Sequence, residues 1–109
     1  MSKNSNSFDT HYTLNKASEK SPIVFIHGVG LNQDIWRPQI DFFKDYTTLT
    51  YDLLGHGKTP LSKVKVKVKF NDFYRQLLNL IDELEVKKIH LVGFSLGALI
   101  AKEFASKHS

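Results

Sequence analysis

The 109-residue sequence contains no cysteine, one methionine and one tryptophan. Without cysteine the chain has no disulfide, no thiol nucleophile and no cysteine-ligated zinc. It also lacks any apolar run near the roughly 18 residues that a membrane-spanning helix needs. The first residues are polar and lack the apolar core of a secretory signal. We therefore expect a cytoplasmic location and no membrane partner.

Basic charge is concentrated in one segment. The net charge of +4 equals the charge of four lysines that alternate with valine, which are Lys63, Lys65, Lys67 and Lys69. No other stretch combines basic and aromatic residues, so we expect no nucleic-acid partner. One interpretation of Val64–Lys69 is an exposed extended segment whose lysines block strand pairing. The alternative is a lysine-lined lip that attracts anionic substrates.

The rest of the chain alternates short apolar runs with amphipathic segments, and its 41% hydrophobic and 24% charged residues are typical of one globular domain. Residues 12–14, 22–27, 47–51 and 88–92 have the apolar or β-branched character of strands. A short helix follows residue 31, where Asn32 or Asp34 can cap it. Residues 71–84 predict an amphipathic helix with a polar face of Asp72, Arg75, Gln76, Asn79 and Glu83. The pattern predicts an α/β fold with a mostly parallel sheet and flanking helices.

The last predicted strand runs through a Gly-x-Ser-x-Gly motif, at 93–97, directly into an apolar helix. This layout predicts a nucleophile elbow, in which a strained strand-to-helix turn exposes the serine hydroxyl beside the first N–H groups of the helix. Gly93 and Gly97 leave room for the turn. We therefore predict Ser95 as a catalytic nucleophile.

Two further motifs precede the elbow, each directly after a predicted strand. The first is His27-Gly28-Val29-Gly30, and the second covers residues 52–60, with the sequence DLLGHGKTP. With all three motifs in this order, the chain resembles the α/β-hydrolase family over roughly residues 10–107. The resemblance implies the strand order first, third, second, fourth. We expect residues 1–9 to form a flexible tail, outside a domain formed by residues 10–109.

The resemblance also implies the roles of several residues. The backbone N–H groups of Val29 and Leu96 would form the oxyanion hole. From their positions, Phe94 next to Ser95 and Trp36 at the start of the helix after the glycine loop are expected to line the acyl pocket, although an aromatic residue near a core more often serves packing. His27 and His56 are interpreted as structural, and Asp52 as a cap of its turn. The histidines have no partners at ligand spacing, so no metal site is expected, and the chemistry needs no organic cofactor.

The triad is incomplete in this sequence. In the family the acid and then the histidine follow the serine, but residues 96–109 contain only one acid, Glu103, and one histidine, His108. Both fall on the helix that leaves the elbow, and His108 would lie about 18 Å along its axis. Neither can act on Ser95. We therefore expect an incomplete N-terminal part of an α/β-hydrolase domain, inactive by itself.

Two functions follow from this sequence. The first is a serine hydrolase that acts on a small ester, lactone, thioester or carbon–carbon bond through an acyl-enzyme. Serine at the elbow disfavours the branches of the family that use a carboxylate nucleophile. The alternative is a truncated, non-catalytic binding module or fragment. A dinucleotide-binding loop at 28–33 is disfavoured, because Gln33 occupies the position of its third glycine.

Overall fold

A computed structural model describes residues 8–61 and 68–108 of the chain. Most of the alternating valine and lysine segment, residues 64–67, lies outside the described residues, so both interpretations of it stay predictions. Four strands and three α-helices follow one another in the described part. Their bounds are β1 Tyr12–Asn15, β2 Ile23–Ile26, α1 Arg37–Phe42, β3 Thr48–Tyr51, α2 Phe70–Glu83, β4 His90–Gly93 and α3 Leu96–His108.

The strands form one sheet in the order β1-β3-β2-β4, which confirms the predicted order. Strand β2 is parallel to both of its neighbours, pairing Phe25 with Thr50 of β3 and with Val92 of β4. Strand β1 runs antiparallel to β3. The sheet is therefore mostly parallel, as predicted, and the carboxyl ends of β2, β3 and β4 meet at one edge, where all three motifs begin.

Helices cover both faces of the sheet. Strands β2 and β3 are buried along their whole length. The side chains of β2 alternate between two apolar clusters, because successive residues of a strand point to opposite faces of the sheet. The larger cluster contains residues of the sheet, α2 and α3, namely Val24, Ile26, Leu49, Tyr51, Leu53, Tyr74, Leu77, Leu80, Ile81, Ile100 and Phe104. The smaller one joins Ile23 and Phe25 to Trp36, beneath a 3₁₀ turn that leads into α1.

Local signals explain where the helical segments begin. Asn32, one of the two predicted caps, caps the 3₁₀ turn Gln33–Trp36 by accepting the Asp34 N–H at 2.8 Å. At the start of α2, the Asp72 carboxylate accepts the Lys69 N–H at 2.8 Å. None of the helices within residues 8–61 and 68–108 has the length and apolar character to span a membrane.

Two residues differ from the sequence-based expectation. Gln76 belongs to the predicted polar face of α2, yet its side chain is fully buried because it bonds to the turn after β3. Phe8 falls in the predicted tail, yet it is 7% exposed, with the Arg75 guanidinium 5.9 Å from its ring centre. Residue 8 is therefore packed against the domain. Residues 1–7 of the expected tail lie outside the described residues, so the tail stays a prediction for them.

Strand β4 forms an edge of the sheet in the described part of the chain. Its residues alternate between exposed and half-buried, whereas β2 and β3 are fully buried. Val92, Phe94 and Leu99 leave 38%, 55% and 58% of their surface exposed at or near this edge. An edge strand with apolar neighbours is a template for pairing with another chain.

We predict that residues 1–109, expressed alone, self-associate through β4. Val92→Lys places a charge on this edge and should weaken self-association at least about tenfold, equal to about 1.4 kcal/mol. Leu14→Lys is the matched control, because Leu14 is 39% exposed on β1, the polar opposite edge. Sedimentation velocity over a concentration series measures both variants. Equal weakening by the two substitutions would show that β4 is not the contact.

Candidate active site

Ser95 lies on the sharp turn between β4 and α3. Its backbone φ is 58°, in the left-handed region that non-glycine residues rarely adopt. The Ser95 carbonyl accepts the Ala98 N–H at 2.9 Å and so begins the helix. The residue is exposed. The strained turn predicted from the Gly-x-Ser-x-Gly motif is therefore confirmed as backbone geometry.

The two glycines of the motif allow α3 to approach the sheet closely. A Cβ on Gly97 would overlap the Ile26 carbonyl of β2, and one on Gly93 would overlap the Gly97 carbonyl. The Phe94 N–H also donates to the Ile26 carbonyl at 3.0 Å. The first turn of α3 therefore rests on the carboxyl end of β2, which holds Ser95 beside the loop that leaves that strand.

That loop is a tight turn formed by residues 28–31. The Leu31 N–H donates to the Gly28 carbonyl at 3.2 Å, and Gly30 has a φ of 81°, which a type II turn requires at its third position. Gly28 is buried against the elbow, since a Cβ there would lie 3.0 Å from the Ser95 Cβ. The loop and Ser95 are therefore in contact.

The two predicted oxyanion donors both have unused N–H groups. Within residues 8–61 and 68–108, neither the Val29 N–H nor the Leu96 N–H donates a hydrogen bond. Val29 is 67% exposed and follows Gly28, whereas Leu96 is the first residue of α3. An unused N–H at the first position of a helix is expected, because no intrahelical acceptor precedes it. Both donors are therefore available to a ligand beside Ser95.

His27 is fully buried and bonds to the backbone through both ring nitrogens. Nδ1 lies 2.7 Å from the Gly28 carbonyl, and Nε2 lies 3.0 Å from the Leu53 nitrogen. A carbonyl only accepts and an N–H only donates, so these partners define the neutral tautomer with the proton on Nδ1. Burial lowers the pKa of His27, which favours the same neutral form.

Asp52 caps the turn after β3, as predicted. Its carboxylate accepts the N–H groups of Gln33 and Lys58, each at 2.9 Å, and a Cβ on Gly57 would overlap it.

Gln76 of α2 adds two bonds to the same turn, accepting the Leu54 N–H at 3.1 Å and donating to the Asp52 carbonyl at 3.0 Å. Sequence periodicity missed Gln33 and Gln76 because buried amides resemble surface residues in a hydropathy pattern.

The two predicted pocket residues lie in different environments. Phe94 is 55% exposed next to Ser95, and its ring edge lies 3.3 Å from where a Cβ on Gly28 would be. Trp36 is 7% exposed and packs on Phe25, with ring centres 5.0 Å apart. Phe94 therefore lies at the elbow. Trp36 belongs to the smaller core cluster, as expected if its role is packing rather than lining a pocket.

No histidine within residues 8–61 and 68–108 bonds to the Ser95 hydroxyl. His56 Nδ1 bonds to the Leu54 carbonyl, and His90 begins β4, at the opposite end of that strand from the elbow. His108, the last residue of α3, contacts the Tyr74 hydroxyl at 2.7 Å. Glu103 pairs with Lys107 at 3.0 Å. These contacts supply no base to Ser95.

A metal site and an enclosed pocket are the two other kinds of site that this part of the chain could form. Among the residues that the structure describes, no group of three or more His, Asp or Glu residues could hold a metal ion. A cavity of about 620 Å³ lies between the end of α2, the start of β4 and the end of α3. Its lining includes Lys88, His90 and His108 but neither Ser95 nor a predicted oxyanion donor. The candidate site is therefore the open surface at the elbow.

A strained serine elbow, a glycine turn against it and a parallel sheet between helices define the class of an α/β-hydrolase fold. A family model described as alpha/beta hydrolase fold matches residues 21–109. The chain therefore belongs to the α/β-hydrolase family.

Known relatives agree with this assignment. The chain is 34% identical over 97 residues to (E)-2-((N-methylformamido)methylene)succinate hydrolase of Acinetobacter baylyi, covering 88% of this chain and 35% of the relative. It is 32% identical over 89 residues to 3-oxoadipate enol-lactonase 1 of the same organism, covering 81% and 32%. A solved carboxylesterase structure from Nitrososphaera gargenis superposes with a TM-score of 0.84 at 28% identity, covering 91% and 37%. The chain spans about a third of the length of these relatives.

The environment of His27 predicts a pH dependence of stability. Unfolded histidine titrates near pH 6.5, whereas the pKa of buried His27 is lower, so the unfolded chain binds a proton first as the pH falls. The free energy of unfolding should therefore decrease below pH 6.5, by at most about 1.4 kcal/mol per pH unit from this group. Urea denaturation between pH 5 and 8 measures this slope.

The matched variants for this prediction are His27→Asn and His90→Asn, because His90 is exposed. The slope below pH 6.5 should become shallower in His27→Asn and stay unchanged in His90→Asn. An unchanged slope in His27→Asn would show that protonation of His27 does not contribute to the pH dependence of the free energy of unfolding.

Proposed function

We propose that this chain carries the nucleophile and the oxyanion hole of a serine hydrolase, with Ser95 as the nucleophile. The observation that carries the proposal is the left-handed backbone of an exposed serine, φ 58°, at the start of α3. Such strain persists where the surrounding structure enforces it, and here the close approach of α3 to β2 does so. The strained turn exposes a nucleophilic hydroxyl at the carboxyl edge of the sheet.

In the proposed reaction, the Ser95 hydroxyl attacks an acyl carbonyl and the substrate oxygen gains negative charge. The N–H groups of Val29 and Leu96 would donate to that oxygen. Both are backbone groups that are unused within the described residues, and the positive end of α3 adds a favourable field. A general base accepts the hydroxyl proton and passes it to the leaving group, which departs and leaves an acyl-enzyme on Ser95. The same base then deprotonates a water molecule, which hydrolyses the acyl-enzyme, releases the acid and restores the serine hydroxyl.

The general base and its orienting carboxylate are proposed to lie outside the described residues. Within residues 8–61 and 68–108, His27 is committed to two backbone bonds and His108 contacts Tyr74. Without a base, an oxyanion site retains about 10³–10⁴-fold acceleration over water. Residues 1–109 alone should therefore show little esterase turnover.

The proposed substrates are small esters, lactones, thioesters or compounds with a cleavable carbon–carbon bond. The two Acinetobacter relatives are named for a substituted succinate and for an enol-lactone, both small molecules. Phe94, exposed beside Ser95, is proposed to contact the acyl group. The described contacts of Trp36 give no support to a similar role, and a non-catalytic binding module remains the alternative.

The first test concerns the nucleophile. The test uses the full-length protein, meaning a chain that also carries the proposed general base and its carboxylate. In it a fluorophosphonate probe should label Ser95, and Ser95→Ala should abolish the labelling and lower kcat by about 10⁶. Peptide mass spectrometry identifies the labelled residue. Ser106→Ala, at an exposed serine on α3, is the control and should leave labelling unchanged. Labelling that persists in Ser95→Ala would refute the assignment and favour the binding module.

The second test concerns the Val29 donor. Val29 is the second residue of its turn, a position where proline fits, so Val29→Pro removes the N–H with little strain. It should lower kcat by about 10²–10³, the cost of one oxyanion donor. Val29→Ala keeps the N–H and should stay within about twofold of wild type, because the side chain is exposed. Equal losses in the two variants, with folding intact by circular dichroism, would exclude a backbone role.

A further inference from the structure

We propose that His27 is a positioning residue that orients the oxyanion donor of Val29; this inference rests on the proposed function. The Gly28 carbonyl and the Val29 N–H belong to one peptide unit. That unit is planar, with its carbonyl and N–H pointing in opposite directions. Whatever holds the carbonyl of Gly28 therefore also sets the direction of the Val29 N–H.

Two donors hold the Gly28 carbonyl. The His27 Nδ1–H lies 2.7 Å from it, and the Leu31 N–H donates to it at 3.2 Å. The imidazole contact is the shorter one and comes from a fully buried ring. Both donors lie on the carbonyl side of the peptide, and on the other side the Val29 N–H has no acceptor among residues 8–61 and 68–108. A peptide flip would break both bonds at once.

The ring itself cannot rotate without breaking a second bond. Its Nε2 accepts the Leu53 N–H at 3.0 Å, and Leu53 belongs to the turn that Asp52 caps. The His56 ring lies 5.3 Å away, and the charge of Asp52 also acts on His27. In the wild-type protein the Leu53 bond therefore fixes the imidazole so that its Nδ1–H points at the Gly28 carbonyl, and Gly28 in turn packs against Ser95.

Two conservative variants separate the ring nitrogens. The Asn side chain places an amide nitrogen near the position of Nδ1, so His27→Asn keeps a donor for the Gly28 carbonyl and loses the acceptor for Leu53. The Gln side chain places its oxygen near Nε2, so His27→Gln keeps the acceptor and loses the donor. Each variant removes one backbone bond, so both should lose similar stability.

Only one of them should lose activity. In the full-length protein, His27→Gln should lower kcat about 10- to 100-fold with KM within about threefold, because an oxyanion donor acts in the transition state. The loss stays below that of a whole missing donor because the Leu31 N–H still holds the carbonyl. His27→Asn should keep kcat within about threefold. Wild-type kcat in His27→Gln, or equal losses in both variants, would overturn the proposal.

A measurement on the wild-type protein covers the case in which the variants do not fold. Long-range ¹H–¹⁵N spectra at pH 7 should show His27 protonated at Nδ1 alone. Protonation at Nε2, or a charged ring, would overturn the proposal because the required bonds would not exist. A different result would refute the proposed function itself. In that case the fluorophosphonate would not label Ser95 in the wild-type protein. If the probe labels Ser95 in the wild-type protein but His27→Gln keeps the wild-type kcat, only the positioning role of His27 is wrong.

Discussion

The close approach of α3 to the end of β2 is the constraint on which the candidate site depends. Gly97 has no side chain, so the first helical turn rests on the Ile26 carbonyl, and Gly93 allows the chain to fold back tightly. This approach forces Ser95 into a left-handed backbone and brings Gly28 against it. Any side chain at Gly97 would separate the elbow from the loop, even though alanine is a better helix former than glycine.

A second constraint joins the three sequence motifs into one unit. His27 of the first motif bonds to Leu53 of the second, and Gly28 of the first packs on Ser95 of the third. The motifs are separated along the chain but all begin where parallel strands end at the same edge of the sheet. Parallel topology therefore explains how short motifs far apart in sequence form one surface.

Much of this architecture was predictable, because it depends on signals that are local in sequence. Buried strands, the amphipathic α2 and the glycines of the elbow each follow from neighbouring residues, and the resemblance supplied the strand order. The burial of Gln76 was not predictable, since its partners, the Leu54 N–H and the Asp52 carbonyl, are distant in sequence. The packing of Trp36 on Phe25 likewise depends on which face of the sheet the 3₁₀ turn covers.

The groups proposed to stabilise charge are backbone N–H groups, and this changes which side chains matter. Val29 and Leu96 are proposed to act through atoms that every residue except proline possesses, so this role does not depend on which side chain either residue carries. The geometry of those atoms depends instead on the missing side chains of Gly28, Gly93 and Gly97 and on the two bonds of His27. Sequence constraint at this site should therefore fall on these glycines and on His27 rather than on the side chains of the proposed donors, because they set where the backbone points.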